Sequence, residues 1–112
     1  MAKKAKLTVA QILLGKHLKE LGLEPEFEWR ICDCHKWRFD VVCLDQRIGI
    51  EANGGKWSGG HRRGKAIEDE NDKLNTATLG GWRVLQFTNE QILSGRAKEF
   101  LKEHMGRRQE PV

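Results

Sequence analysis

Residues 37–52 read Trp-Arg-Phe-Asp-Val-Val-Cys-Leu-Asp-Gln-Arg-Ile-Gly-Ile-Glu-Ala. The Asp45-Gln46 turn divides this stretch into two apolar runs, which predict neighbouring antiparallel strands. Each run contains one carboxylate among its apolar residues, Asp40 in the first and Glu51 near the end of the second. Burial of a carboxylate is unfavourable unless the group meets a cation. The two carboxylates are therefore the first candidates for functional residues.

The sequence on either side predicts the remaining elements. Thr8 with Gln11, and Thr88 with Gln91, form capping-box patterns that each predict the start of a helix. Apolar spacing and turn residues predict a strand at 26–31, before the central pair. After the pair they predict a helix at 65–79, a strand at 82–87 and a last helix at 94–104. The predicted class is α/β (α+β), with a mixed four-stranded sheet flanked by helices and an extra C-terminal helix.

Strand periodicity predicts which side chains share a face. Along the first central strand one face would hold Trp37, Phe39, Val41 and Cys43, and the other Arg38, Asp40, Val42 and Leu44. Along the second, Ile48 and Ile50 would lie opposite Gly49 and Glu51. The carboxylates could also have an ordinary structural role, because surface ion pairs are common. In that interpretation Asp40 pairs with Arg38, Arg83 or Lys73, and Glu51 pairs with Arg47.

Composition limits the class of protein. The chain has 112 residues, 38% of them hydrophobic, and a formal net charge of +4, which permits a polyanionic partner. We expect one domain spanning residues 1–112, with an ordered core from 7 to 104 and short tails. No apolar run approaches the length of a membrane span, and three cysteines do not predict a disulfide framework. We therefore expect a protein of the cytoplasm with reduced thiols.

A glycine-rich segment follows the second carboxylate, at residues 53–64. Glycine is costly to order unless the backbone must approach another group closely. Cations and an aromatic ring in this position suit phosphate contact and base stacking, although a solvated loop is the ordinary alternative. The candidate nucleic-acid-binding residues are Lys56, Trp57, Arg62, Arg63 and Lys65.

These features follow one another in the order carboxylate, apolar strand, second carboxylate, glycine-rich loop, helix and the run Gly-Gly-Trp-Arg-Val-Leu-Gln-Phe-Thr. This order resembles that of the PD-(D/E)XK nuclease superfamily. The small, very-short-patch-repair-like and phage-type endonucleases are the most similar members, and the resemblance extends over about residues 8–93. It implies a restriction-endonuclease-like αβββαβ core and a bacterial or phage-infected host cell. It also implies that Asp40, Glu51 and the backbone carbonyl of Ala52 hold Mg²⁺, for which Mn²⁺ can substitute.

The sequence departs from the superfamily pattern at Asn53, where the motif has lysine. A lysine there would orient the attacking water and stabilise charge on the phosphate, which an amide does less well. Lys73 on the following helix is the first candidate to replace it, with His61 second and Lys56 also close in sequence. Glu20 is a weaker candidate for an additional acidic group.

The function expected from these features is a metal-dependent DNA endonuclease that is structure-specific or only weakly sequence-specific, and a homodimer would help it to cut both strands. The first alternative is a nucleic-acid-binding module that keeps the nuclease fold without the chemistry. The second is a zinc-stabilised interaction protein, because Cys32, Cys34 and His35 are zinc-type ligands. Their spacing does not match the usual structural zinc site.

Overall fold

The computed structural model of the protein describes residues 6–33, 35–52 and 64–105. Its elements follow the predicted order, with two short helices at the C-terminal end. They are α1 (Val9–Glu20), β1 (Pro25–Arg30), β2 (Arg38–Cys43), β3 (Ile48–Glu51), α2 (Lys65–Leu79), β4 (Arg83–Gln86), α3 (Asn89–Leu93) and α4 (Arg96–Met105). No helix in these ranges combines the length and the apolar character needed to cross a membrane.

The four strands form one mixed sheet in the order β1-β2-β3-β4. β1 pairs with β2, and β2 with β3, in antiparallel fashion, whereas β4 lies parallel to β3. The parallel pair requires a crossover between its strands, which contains α2. The predicted mixed four-stranded sheet flanked by helices is confirmed.

Two helices, α1 and α3, begin with the same capping motif. The Thr8 side chain accepts a hydrogen bond from the backbone of Gln11 at 3.1 Å, and the Gln11 side chain accepts one from the backbone of Thr8 at 2.9 Å. Thr88 and Gln91 repeat this arrangement at 3.0 and 2.9 Å. Each box satisfies two backbone N–H groups that a helix start leaves unpaired.

Each face of the sheet has its own hydrophobic cluster. One cluster joins the sheet to α1, α3 and α4, through buried residues that include Leu14, Ile50, Ile92 and Leu101. The other joins it to α2 and consists of Phe39, Val42, Ala77 and Trp82. Apolar spacing along the helices would place Val9, Ile67 and Phe100 in the core, but all three are exposed.

Side chains along β2 do not alternate as predicted. Phe39 packs in the α2 cluster, whereas Val41, two residues later, packs in the cluster on the other side of the sheet. Regular alternation would place both on one face. The predicted shared face of Trp37, Phe39, Val41 and Cys43 is therefore wrong, and the phase of β2 changes at Asp40.

The neighbouring strand shows the same irregularity. Pairing between β1 and β2 continues on both sides of Glu28 and Asp40, but these two residues do not pair with each other. Glu28 also has a left-handed backbone, with φ of 52°, which is uncommon for a residue with a side chain. The interruption of the sheet thus coincides with the first candidate carboxylate.

Gly49 makes the displaced position of Phe39 possible. A Cβ atom at Gly49 would lie 2.4 Å from atoms of the Phe39 ring, closer than atoms can pack. We therefore expect Gly49→Ala to lower the free energy of unfolding by roughly 1–3 kcal/mol through overpacking, as measured by urea denaturation.

Gly80→Ala is the matched control, because a Cβ there would meet its neighbours at ordinary distances of 3.4 Å or more. Phe39→Leu should recover part of the stability lost in Gly49→Ala. Equal stabilities of the two alanine variants would show that the ring does not occupy this position.

Candidate active site

Asp40 is fixed at the end of β3 by a hydrogen bond across the strands. Its Oδ2 accepts a hydrogen bond of 2.7 Å from the backbone N–H of Ala52. The β2–β3 register pairs Val41 with Ile50, so the next position along places Asp40 opposite Glu51. The two candidate carboxylates therefore lie side by side on adjacent strands, as the sequence predicted.

Glu51 forms an ion pair with Lys73 of α2. Both side chains are largely buried, with 13% and 14% of their surfaces exposed. Burial raises the pKa of the Glu51 carboxyl, and the negative charges of Asp40 and Glu70 add to this rise, while Lys73 opposes it. The site thus places a desolvated carboxylate next to a second one, an arrangement that favours binding of a cation.

None of the four ion pairs considered from the sequence is formed among the described residues. Asp40 bonds to a backbone N–H, and Lys73, the third partner considered for it, pairs with Glu51 instead. Arg47 lies over the Trp82 ring, with its guanidinium carbon 4.7 Å from the ring centroid. Its positive charge is therefore directed to the aromatic ring, and Lys73 is the cation at Glu51.

Gln11 connects α1 to the site, a role that the sequence did not indicate beyond its part in the capping box. Only 4% of its surface is exposed. Its Nε2 donates hydrogen bonds to the Asp40 carbonyl at 3.1 Å and to the Glu28 carboxylate at 2.8 Å. These bonds lie where the β1–β2 pairing is interrupted, so a side chain replaces the missing strand contact.

A row of carboxylates crosses the sheet at this level. The β1–β2 register places Glu28 opposite Asp40, which is itself opposite Glu51. The outer two are bound from different helices, Glu28 by Gln11 of α1 and Glu51 by Lys73 of α2. In residues 6–33, 35–52 and 64–105, no three His, Cys, Asp or Glu side chains are grouped to hold a metal.

The other residues predicted from the sequence lie away from this cluster or outside the described ranges. Lys65 is the exposed first residue of α2. Glu20 forms a surface ion pair with Lys98 at 3.0 Å, nine residues along α1 from Gln11. Those outside the described ranges are Asn53, Lys56, Trp57, His61, Arg62 and Arg63, together with Cys34 of the suggested zinc ligands.

One solved structure with a similar fold is the homing endonuclease I-Bth0305I catalytic domain. The two share 18% sequence identity with a TM-score of 0.62, over 86% of this chain and 92% of that chain. No protein-family model and no curated protein matches the chain. The fold of the chain is therefore similar to that of this catalytic domain.

The role of Gln11 can be separated from helix capping by comparison with Gln91. Gln11→Leu removes the cap and leaves the Asp40 carbonyl and Glu28 without their donor, so we expect a loss of roughly 2–4 kcal/mol in the free energy of unfolding. Gln91→Leu removes the corresponding cap contact of α3, for about 0.5–1 kcal/mol. Equal losses by urea denaturation would mean that the bonds to Asp40 and Glu28 contribute nothing.

The raised pKa of Glu51 predicts a pH dependence of stability in EDTA. The folded protein holds this proton more tightly than the unfolded chain, whose carboxyl titrates near 4.5. The resulting stabilisation is complete below that pH and is lost as the pH rises through the folded-state pKa.

The free energy of unfolding of the wild type, minus that of Glu51→Gln, should therefore fall as the pH rises over this window. Denaturation curves at a series of pH values measure the difference. A difference that rises with pH would contradict the direction of the shift.

Proposed function

We propose that the protein is a metal-dependent DNA endonuclease of the PD-(D/E)XK type, which hydrolyses phosphodiester bonds. The observation that carries this proposal is the convergence of Asp40, Glu51 and Lys73 at the end of β3. The similarity of the fold to a homing endonuclease catalytic domain supports the same activity.

The donor atoms at this position fit a hard divalent ion. Asp40, Glu51 and the Ala52 carbonyl would hold Mg²⁺, or Mn²⁺ in its place, because these ions prefer oxygen ligands and Mg²⁺ commonly keeps several waters. The desolvated Glu51 carboxylate favours such an ion, since its neighbour Asp40 is also acidic. When bound, the ion would polarise the phosphate and lower the pKa of a coordinated water.

Lys73 takes the role that the lysine missing at position 53 would have. Its ammonium group reaches the candidate ligand Glu51 from α2 while its own side chain is largely buried. A cation held there is suited to orient water and to stabilise the negative charge that develops on a phosphate. Asn53 and His61 would assist from the segment that follows β3, and Lys56, Trp57, Arg62, Arg63 and Lys65 would contact DNA.

The cleavage proposed for this site is structure-specific or only weakly sequence-specific, and a homodimer would allow both strands to be cut. The expected location is the cytoplasm of a bacterium or of a phage-infected host.

Cleavage of plasmid and branched duplex DNA tests the proposal. We expect cutting that needs Mg²⁺ or Mn²⁺, stops with EDTA and is abolished in Asp40→Asn. Lys73→Met should lower the rate at least about 100-fold, because it removes an electrostatic contact to the reacting groups.

Lys98→Met is the matched control, since Lys98 also pairs with a glutamate but does so at the surface, through Glu20. Its rate should stay within about threefold of the wild type. Duplex binding without cutting in either metal would instead favour the non-catalytic module, which the asparagine at position 53 also suits.

A further inference from the structure

Two arginines lie opposite each other near the end of the β1–β2 hairpin. Arg30 of β1 and Arg38 of β2 are direct partners in the strand register, and both are exposed. Like charges placed opposite each other on neighbouring strands destabilise a sheet. In residues 6–33, 35–52 and 64–105, neither arginine forms an ion pair with a carboxylate. The fold therefore keeps an unfavourable pair of charges at the surface.

The described part of the turn beyond these arginines, residues 31–33 and 35–37, contains specific contacts. The Arg30 Nε donates a hydrogen bond to the His35 carbonyl at 3.3 Å. The His35 ring stacks on Trp37, with the ring centroids 3.9 Å apart. Lys36 and Asp33 are also exposed, so the described charges here, with the two arginines, are three positive and one negative.

The two arginines are close along the chain to the carboxylates of the candidate site. Arg38 and Arg30 are each two residues from the carboxylate of their own strand, Asp40 and Glu28. Two residues of extended chain span roughly 7 Å, which is less than the roughly 12 Å width of the major groove of DNA. A duplex held at Asp40 would therefore extend over this end of the hairpin, and the planar fork of arginine suits phosphate oxygens.

We infer that Arg30 and Arg38 form a phosphate-binding pair that holds the backbone of duplex DNA beside the active site. This inference deepens the proposed function, because the DNA it binds is the substrate of that site. Neutralisation by phosphates would relieve the repulsion between the two arginines. The pair therefore lowers the stability of the free protein and contributes to its affinity for DNA.

Binding of a fluorescent duplex of about 25 base pairs in EDTA, over a series of salt concentrations, tests the inference without any cleavage. Each phosphate contact adds about 0.9 to the slope of log affinity against log salt. Arg38→Gln should weaken binding and lower the slope by about 0.9. Arg38→Lys should restore the slope, since it restores the charge.

Two further measurements separate a role in binding from a role in stabilising the fold. The melting temperature of Arg38→Gln should be equal to or higher than that of the wild type, because the substitution removes the repulsion. Lys102→Gln removes the same charge from an exposed position on α4, which packs chiefly against α1 and α3, and it should leave the slope unchanged.

An unchanged slope in Arg38→Gln, an equal loss in Lys102→Gln, or a lower melting temperature of Arg38→Gln would each overturn the inference. These outcomes are distinct from failure of the proposed function. A wild type that cuts DNA while Arg38→Gln keeps the full slope refutes only the arginine pair. A wild type that never cuts, with a slope that falls by about 0.9 in Arg38→Gln, refutes only the endonuclease.

Discussion

The hydrogen bond from the Ala52 backbone to the Asp40 carboxylate fixes the geometry of the candidate site. It joins the point where β2 changes phase to the end of β3, with 2.7 Å between its donor and acceptor. A regular strand would have carried Phe39 and Val41 on one face, but here they enter opposite clusters with Asp40 between them. Close packing of Phe39 over Gly49 on one side and the bonds from Gln11 on the other stabilise this irregularity.

The carboxylates at this interruption differ in the charge of their partners. Glu28, Asp40 and Glu51 lie at one level of the sheet, and of the first two only Asp40 adds to the rise in the pKa of Glu51. Glu28 receives a neutral amide, Asp40 a backbone N–H, and Glu51 the ammonium of Lys73. Of these partners only the Lys73 ammonium carries a full positive charge, and burial still raises the pKa of Glu51. The remaining negative charge is consistent with a site that binds a cation, while the arginines of the hairpin are exposed at the surface.

Local signals made most of the fold predictable. The capping boxes at Thr8 and Thr88 depend on residues three positions apart, and both are present in the structure. The order of strands and helices follows from periodicity, and the α2 limits of 65 and 79 match the prediction. Asp40 and Glu51 stood out because carboxylates are unusual in apolar strands, and their adjacency needed only the hairpin register.

Features that depend on distant contacts were not predictable. The phase change of β2 lies opposite the left-handed backbone of Glu28, which no local pattern indicates. Gln11 lies at helical spacing from Leu14 and Leu18, but its capping role already accounted for a polar residue there. Hydrophobicity alone would place Ile67 inward on α2, but this residue is exposed, whereas the partly buried positions of the helix include Glu70 and Lys73. Because this face of α2 borders a charged site, it is polar at positions where a hydrophobic pattern would predict core residues.

The proposed activity depends on a divalent metal ion held by Asp40 and Glu51 at the end of β3. Anomalous diffraction from crystals grown with Mn²⁺ tests for this ion, since the signal locates the metal without any assumption about activity. We expect a peak within coordination distance of both carboxylates and the Ala52 carbonyl, which disappears in Asp40→Asn. A peak elsewhere, or none at Mn²⁺ concentrations that support cleavage, would contradict the claim.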